Sequence, residues 1–163
     1  MNKIFKIFFI LFFIFSCSTS KISNLSEIVY RAENSASFGG RKIIETSNAM
    51  ITNQEIILGG CWDYINAVYN RAGYPANLRD TIYKSKLHGP YTNADQIIPG
   101  DWLYFVNHSY FDTEHSGIFL AWINKDKKEA VMISYEGEKR KRPATFKKYT
   151  LTNIYNIIRA HDK

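Results

Sequence analysis

The chain has 163 residues, of which 45% are hydrophobic and 22% are charged, and its formal net charge is +6. This length predicts one domain with an appendage, because domains average roughly 150 residues. The composition is close to that of ordinary globular proteins, which excludes a disordered chain, a collagen-like repeat and a polytopic membrane protein.

The amino terminus has the layout of a secretory signal. Lys3 and Lys6 precede nine apolar residues at positions 7–15, and then a serine and Cys17 follow. The apolar run is too short for a membrane-spanning helix, which needs about 20 such residues. We therefore predict a signal peptide at residues 1–16, whose removal lowers the formal charge of the mature chain to +4.

The tetrad Ile14-Phe15-Ser16-Cys17 resembles the lipobox of bacterial lipoproteins. This resemblance implies that Cys17 is acylated, with fatty acids such as palmitate, and becomes the first residue of the mature chain. Acyl chains would hold a soluble domain on a membrane surface in place of a spanning helix. The alternative is an ordinary signal peptide that is cut near Ser18 or Ser20.

The next residues predict a tether and the start of a domain. Residues 17–24 are polar and predict a short tether, which leaves a domain at residues 25–163. Apolar residues recur at helical spacing across residues 22–32 and predict a helix that ends before residues 38–40. Residues 41–58 are ambiguous, and there we predict surface loops with at most a short strand.

The rest of the chain predicts a helix followed by strands. Gly59 and Gly60 break the chain, and residues 61–72 then form an apolar face that ends with Gly73 at the expected position beyond a helix. Residues 78–87 predict a variable, partly helical stretch. Strands are predicted at residues 102–106, 115–123, 130–135 and 153–160. Helices that precede a mostly antiparallel sheet indicate an α+β fold.

Cys61 is the first candidate for chemistry. The chain has two cysteines, so with Cys17 assigned to acylation Cys61 has no partner for an intramolecular disulfide. A thiol at the start of a helix lies near unpaired N–H groups and the positive end of the helix dipole, which favour the thiolate. Gly59 and Gly60 leave space for a substrate, and the Cys61 N–H could donate to an oxyanion. On position alone, a reactive nucleophile and a core-filling cysteine remain equally open.

A histidine decides between these two roles. A nucleophilic thiol needs an imidazole on a rigid element. Of the four histidines, His88 and His108 lie in loop-like turns, His161 lies at the chain end, and His115 alone begins an apolar strand. We therefore predict that Cys61 and His115 form a catalytic pair. We expect no metal or other cofactor, because the histidines are scattered and no second thiol lies near Cys61.

Four blocks of sequence carry a resemblance to a known family. They are Gly59-Gly60-Cys61-Trp62-Asp63-Tyr64, Val68-Tyr69-Asn70-Arg71-Ala72-Gly73, Pro99-Gly100-Asp101-Trp102-Leu103-Tyr104-Phe105 and His115-Ser116-Gly117-Ile118-Phe119-Leu120. In this order they resemble the signature blocks of the NlpC family of bacterial cell-wall cysteine peptidases. The resemblance implies a papain-like fold in which Cys61 attacks a peptide carbonyl and His115 transfers the proton. It also implies peptidoglycan stem peptides as substrates, usually cut beside D-glutamate.

The resemblance further implies a third polar residue that orients the imidazole. That position falls at Ser134, where the family ordinarily has histidine, asparagine, glutamine or glutamate. Strand alternation puts Glu136 on the same face, and a carboxylate would hold an imidazolium better than a hydroxyl. We therefore prefer Glu136, provided that the strand extends that far. A second departure is Gly60, because the family usually has there an aspartate that helps to bind the free amine of the stem peptide.

These observations lead to a function and two alternatives. We expect a monomeric, lipid-anchored thiol hydrolase outside the cytoplasm, in the bacterial cell envelope, that cuts amide bonds in peptidoglycan. Its partners are a peptide substrate and, through Cys17, a membrane, whereas export disfavours nucleic acid. The alternatives are a CHAP-type peptidoglycan amidase and a lipoprotein that keeps the scaffold for binding without catalysis. The basic residues 139–142 and 147–148 predict a loop that either faces anionic lipid or wall polymer or is simply solvated.

Overall fold

The computed structural model describes residues 25–108 and 110–162. The predicted signal peptide at residues 1–16, the acylation site Cys17 and the tether at residues 17–24 lie outside the described residues. None of the helices within the described ranges combines the length and the apolar character that crossing a bilayer requires.

In these ranges the chain folds as three α-helices followed by six strands of one sheet. The helices are α1 (Leu25–Ser35), α2 (Phe38–Thr52) and α3 (Cys61–Arg71). The strands are β1 (Arg79–Lys84), β2 (Trp102–Asn107), β3 (Thr113–Asn124), β4 (Glu129–Ser134), β5 (Thr145–Thr150) and β6 (Ile154–Ala160). Their spatial order is β1-β6-β2-β3-β4-β5, and every neighbouring pair is antiparallel. The predicted α+β order, with helices before a mostly antiparallel sheet, is confirmed.

The sheet buries apolar side chains on both of its faces. Along β2, Trp102 faces the helices while Leu103 and Phe105 face the opposite side, as the alternation of side chains along a strand requires. The cluster between the sheet and the helices includes Ile43, Ile44, Tyr64, Ile65, Val68, Tyr69, Trp102, Ile118, Leu120, Ile133 and Tyr135. The cluster on the opposite face includes Leu103, Phe105, Phe119, Met132, Leu151, Ile154 and Ile157. Burial of these side chains fixes α3 against the sheet centre.

Helix α2 overturns the prediction of loops for residues 41–52, whereas residues 53–58 contain neither helix nor strand. Its first turn contains Gly39 and Gly40, and the Oγ of Ser37 caps it by accepting a hydrogen bond from the N–H of Gly40 at 3.2 Å. A Cβ atom at Gly40 would lie 2.5 Å from the carbonyl oxygen of Pro99. The predicted end of a helix before residues 38–40 is confirmed, since α1 ends at Ser35. The glycines permit close packing at the start of α2, which was not predicted. Buried residues follow at helical spacing at Ile43, Ile44, Ser47 and Met50.

Two strands were also missed. Residues 78–87, predicted as partly helical, contain β1, and the basic segment predicted as a loop contains β5. Both strands lie at the edges of the sheet and pair with one neighbour each, β1 with β6 and β5 with β4. Edge strands are only partly buried, so they lack the strong apolar alternation that identified the central strands.

The turn before β2 ties helix α3 to the sheet. The Asp101 side chain is fully buried and accepts two hydrogen bonds from Arg159, at 2.7 and 2.8 Å, and one from the N–H of Ile98 at 2.9 Å. The hydroxyl of Tyr69 in α3 donates to the carbonyl of Gly100 at 2.8 Å. These contacts hold α3 in place, and α3 begins at the candidate nucleophile.

Candidate active site

Cys61 is the first residue of α3, as the sequence predicted. The preceding Gly59 has φ +105°, a conformation that side chains other than glycine rarely adopt, and a Cβ atom there would overlap the Asp63 carboxylate. That carboxylate accepts a hydrogen bond from the N–H of Gly60 at 2.7 Å and so caps the helix. The two glycines and Asp63 thus place a half-buried thiol at the end of a well-defined helix.

The structure brings Cys61 and His115 together. His115 lies near the start of β3, opposite Phe105 of β2. Burial raises the pKa of the Cys61 thiol, but hydrogen bonds from His115 and Ser116, together with the charge of His115, lower it to about 7. A large fraction of the thiol is therefore ionised at neutral pH, and the thiolate is the nucleophilic form.

Ser116 was missed by sequence reasoning. Its backbone hydrogen-bonds to the sulfur and lowers the pKa of the thiol. Its hydroxyl is buried and has no hydrogen-bond partner among the described residues. Ser116 directly follows His115 in the His-Ser-Gly block, so its position next to the sulfur could have been inferred from its neighbour. Ser116 lowers the thiol pKa, an effect that was predicted only for the helix end.

A chain of hydrogen bonds continues from His115 away from the thiol. His115 Nε2 lies 2.9 Å from Ser134 Oγ, and that oxygen lies 2.8 Å from the Tyr149 hydroxyl. Since Ser134 occupies Nε2, Nδ1 is the ring nitrogen left for Cys61. Ser134 is therefore the residue that holds the far nitrogen of the imidazole. Tyr149 was missed because it lies on β5, in a segment predicted as a loop.

The preference for Glu136 over Ser134 requires correction. It depended on the strand extending to Glu136, but β4 ends at Ser134. The Glu136 carboxylate instead pairs with the Lys147 ammonium, and this hydrogen bond holds the pKa of Glu136 below its usual range. Beyond the strand end, alternation no longer determines where a side chain points, so Glu136 lines the cleft while Ser134 holds the imidazole.

Aromatic rings surround the imidazole. The Phe105 ring meets it edge to face at 5.6 Å between centroids, and the Tyr149 ring lies at 5.7 Å. Phe105 and Tyr149 also contact each other at 5.2 Å. Such packing restricts the rotation of the His115 side chain and keeps its two nitrogens aimed at Cys61 and Ser134.

The thiol and the imidazole open into a cleft of about 550 Å³. The cleft is lined by Gly60, Cys61, Asn107, Tyr110, Thr113, Glu114, His115, Tyr135, Glu136, Arg140, Lys147, Lys148 and Tyr149. A volume of this size accommodates a short peptide or a similar ligand. Among the described residues, the Cys61 N–H donates to no protein acceptor, so it is available to a substrate oxygen.

Within the described parts of the chain, no three His, Cys, Asp or Glu side chains lie close enough together to hold a metal ion. Comparison of the chain with protein-family models, with curated proteins and with solved structures finds no match. The site itself contains a thiol of lowered pKa, an imidazole and a hydroxyl, which contact one another in that order and face an open cleft.

Replacing Ser134 with alanine should slow any reaction that uses the Cys61–His115 pair by about 10- to 100-fold, since supporting hydrogen bonds typically carry effects of that order. The change removes the partner of His115 Nε2 and leaves the thiol and its other contacts in place. Initial rates of thiol alkylation and of substrate turnover would measure the loss. Tyr149→Phe keeps the bond between Ser134 and His115, so it should cost less than Ser134→Ala. Equal losses in the two variants would contradict a positioning role for Ser134.

Proposed function

We propose that this protein is an exported, lipid-anchored thiol hydrolase of the bacterial cell envelope that cleaves amide bonds in peptidoglycan stem peptides. One observation carries the proposal: the Cys61 thiol and the His115 imidazole line the same cleft, where His115 helps to lower the pKa of the thiol to about 7. A merely structural cysteine buried in apolar surroundings has a raised pKa and is inert. The order of elements, with the thiol on a helix and the imidazole on a later antiparallel strand, supports a papain-like scaffold of the NlpC type.

The reaction follows from the placement of the groups. The Cys61 thiolate attacks the carbonyl carbon, a bond from sulfur to carbon forms, and the carbonyl oxygen becomes an oxyanion that the Cys61 N–H can stabilise. His115 gives its proton to the leaving amine as the C–N bond breaks. Water then attacks the thioester carbon while His115 accepts its proton, and the C–S bond breaks, which releases the acid and restores the Cys61 thiolate beside a protonated His115. Ser134 keeps the ring oriented throughout.

The choice of peptidoglycan as substrate is supported by the four family-like blocks and by the predicted export signal, whose Cys17 would place the enzyme on a membrane beside the cell wall. CHAP-type amidases often have a glutamate after the second strand, a position that Glu136 would occupy here. The Glu136 carboxylate pairs with Lys147, and the imidazole hydrogen-bonds to Ser134 instead. The experiment that follows distinguishes the proposed hydrolase from the amidase and from a non-catalytic binding protein.

The proposal is tested by incubating purified peptidoglycan with the lipidated protein in non-ionic detergent and analysing the released fragments by mass spectrometry. We expect fragments with new ends inside the stem peptide, and we expect Cys61→Ala to release none, because the nucleophile is lost. Release of whole stems from the sugar would identify an amidase instead. Fragments released equally by the Cys61→Ala variant, or binding to the wall without any release, would contradict the hydrolase.

A further inference from the structure

One wall of the cleft is cationic. Arg140, Lys147 and Lys148 line it together with Cys61 and His115. The cleft also contains two carboxylates, and both are engaged: that of Glu136 by Lys147, and that of Glu114 by the hydroxyl of Tyr155.

Two of the three cationic side chains in the cleft form no ion pair with another described residue. Within residues 25–108 and 110–162, neither Arg140 nor Lys148 has a carboxylate within ion-pair distance. Since both side chains line the cleft, their positive charges are available to a ligand that binds there.

The segment that carries Arg140 is fixed beside the nucleophile. Arg140 ends a one-turn 3-10 helix, Glu138–Arg140, that follows β4. The N–H of Glu138 donates to the carbonyl of Gly59 at 2.9 Å, and a Cβ atom at Gly137 would lie only 3.3 Å from that oxygen. This backbone contact with the loop before Cys61 keeps the arginine close to the reactive sulfur.

Lys148 is fixed by a different route. It lies on β5 between Lys147 and Tyr149, and Tyr149 is hydrogen-bonded to Ser134, the partner of His115. The two cations thus come from separate elements that both contact the catalytic groups. Such convergence on a cleft creates a positive potential that attracts anions and orients them.

Two further observations indicate that the cleft favours an anionic ligand. The pKa of the Glu136 carboxyl is held low first by Lys147 and then by the charges of Arg140 and Arg142, so this side of the cleft has a positive field. In addition, Gly60 supplies no side chain before Cys61, and no carboxylate is therefore available at that position to bind an amine. The surroundings of the thiol suit an anionic ligand better than a cationic one.

We propose that Arg140 and Lys148 are specificity-determining residues, which select substrates with a free carboxylate next to the amide bond that is cut. This inference rests on the proposed thiol hydrolase and narrows its substrate class to acidic stem peptides. Stem peptides whose carboxylate is replaced by a carboxamide are poorer substrates, because the two cations then remain without a partner.

The inference is tested first without any peptide substrate. The full-length protein in non-ionic detergent is alkylated at low salt with iodoacetate, which is anionic, and with iodoacetamide, which is neutral and otherwise alike. Both reagents react with the same Cys61 thiolate, so the ratio of their rate constants cancels the thiol pKa and reports the local potential. We expect the double variant Arg140→Gln/Lys148→Gln to lower the ratio of iodoacetate to iodoacetamide about fivefold, as two nearby partly screened charges would.

The matched control removes two charges outside the cleft. Lys84→Gln/Lys127→Gln changes exposed residues that do not line it, and it should alter the ratio less than about twofold, because exposed distant charges are screened. An unchanged ratio in the cleft variant, or an equal fall in the control, overturns the inference. Slow iodoacetamide alkylation of the unaltered protein at neutral pH would instead count against the thiol hydrolase itself.

The second arm uses paired stem-peptide fragments that differ only in a carboxylate or a carboxamide beside the scissile bond. The unaltered protein should have the higher kcat/KM for the carboxylate, and Arg140→Gln/Lys148→Gln should remove most of that preference. Cleavage of both peptides at equal kcat/KM by the unaltered protein leaves the hydrolase intact and overturns the specificity.

Discussion

Replacing His115 with alanine is expected to raise the pKa of the Cys61 thiol from about 7 to above about 8.5, the value of a free cysteine. The hydrogen bond and the charge of His115 favour the thiolate, whereas burial disfavours it and persists in the variant. At about pH 6.5 the reactive fraction of the thiol should therefore fall by at least about 25-fold. Turnover of a substrate should fall further, by at least about 10³-fold, since the proton donor is also lost.

The measurement is the rate of iodoacetamide alkylation as a function of pH, read with the stem-peptide assay. In the unaltered protein the rate should rise through a midpoint near 7, and in His115→Ala that midpoint should move upwards. The matched control is His88→Ala, which removes an exposed histidine that does not line the cleft. A midpoint that stays near 7 in His115→Ala would show that another group lowers the thiol pKa, and the catalytic pair would have to be abandoned.

Replacing Asp101 with alanine is expected to lower the free energy of unfolding by about 3–5 kcal/mol, the usual loss when one member of a buried ion pair is removed. Asp101 has no exposed surface, and its loss leaves the N–H of Ile98 without an acceptor and the partly buried guanidinium of Arg159 with only the carbonyl of Gln96. The change should also loosen the turn that holds helix α3. Urea denaturation at neutral pH would give the difference in free energy.

The exposed Asp126 supplies the control for this measurement. Asp126→Ala lies in the turn between β3 and β4 and should leave the unfolding transition where it is, because substitutions at such surface sites rarely matter. Asp101→Asn keeps an oxygen acceptor and should lose less than Asp101→Ala. If Asp101→Ala and Asp126→Ala unfold at the same urea concentration, the ion pair with Arg159 does not stabilise the fold.

Local signals made the two central residues predictable. A pair of glycines before a periodic apolar face predicts a helix start, and α3 does begin at Cys61. An apolar run after His115 predicts a central strand, and β3 extends through it. Both signals depend on residues within a few positions of one another, so no knowledge of the tertiary fold was needed to place the thiol and the imidazole on their elements.

The features that were missed depend on contacts between distant parts of the chain. Gly40 is needed because α2 passes close to Pro99, and only the folded structure distinguishes this use of glycine from a helix end. Likewise, the alternation of side chains along a strand allowed both Ser134 and Glu136 to face the imidazole. Because β4 ends at Ser134, this alternation does not extend to Glu136. Tyr149 belongs to an edge strand with little apolar pattern, so its contact with Ser134 had no sequence signal.

Because of strand β5, one part of the site is expected to unfold more easily than the rest. It has a single neighbour, β4, among the described residues, yet it carries both the tyrosine that completes the hydrogen-bond chain and the lysine that faces the cleft. Peripheral strands separate from a sheet at a lower free energy than central ones. The first local opening of the molecule near the site would thus detach Tyr149 and Lys148 while the Cys61–His115 pair stayed assembled on α3 and β3. Thiol reactivity and substrate selection would then fail in separate steps as conditions become denaturing.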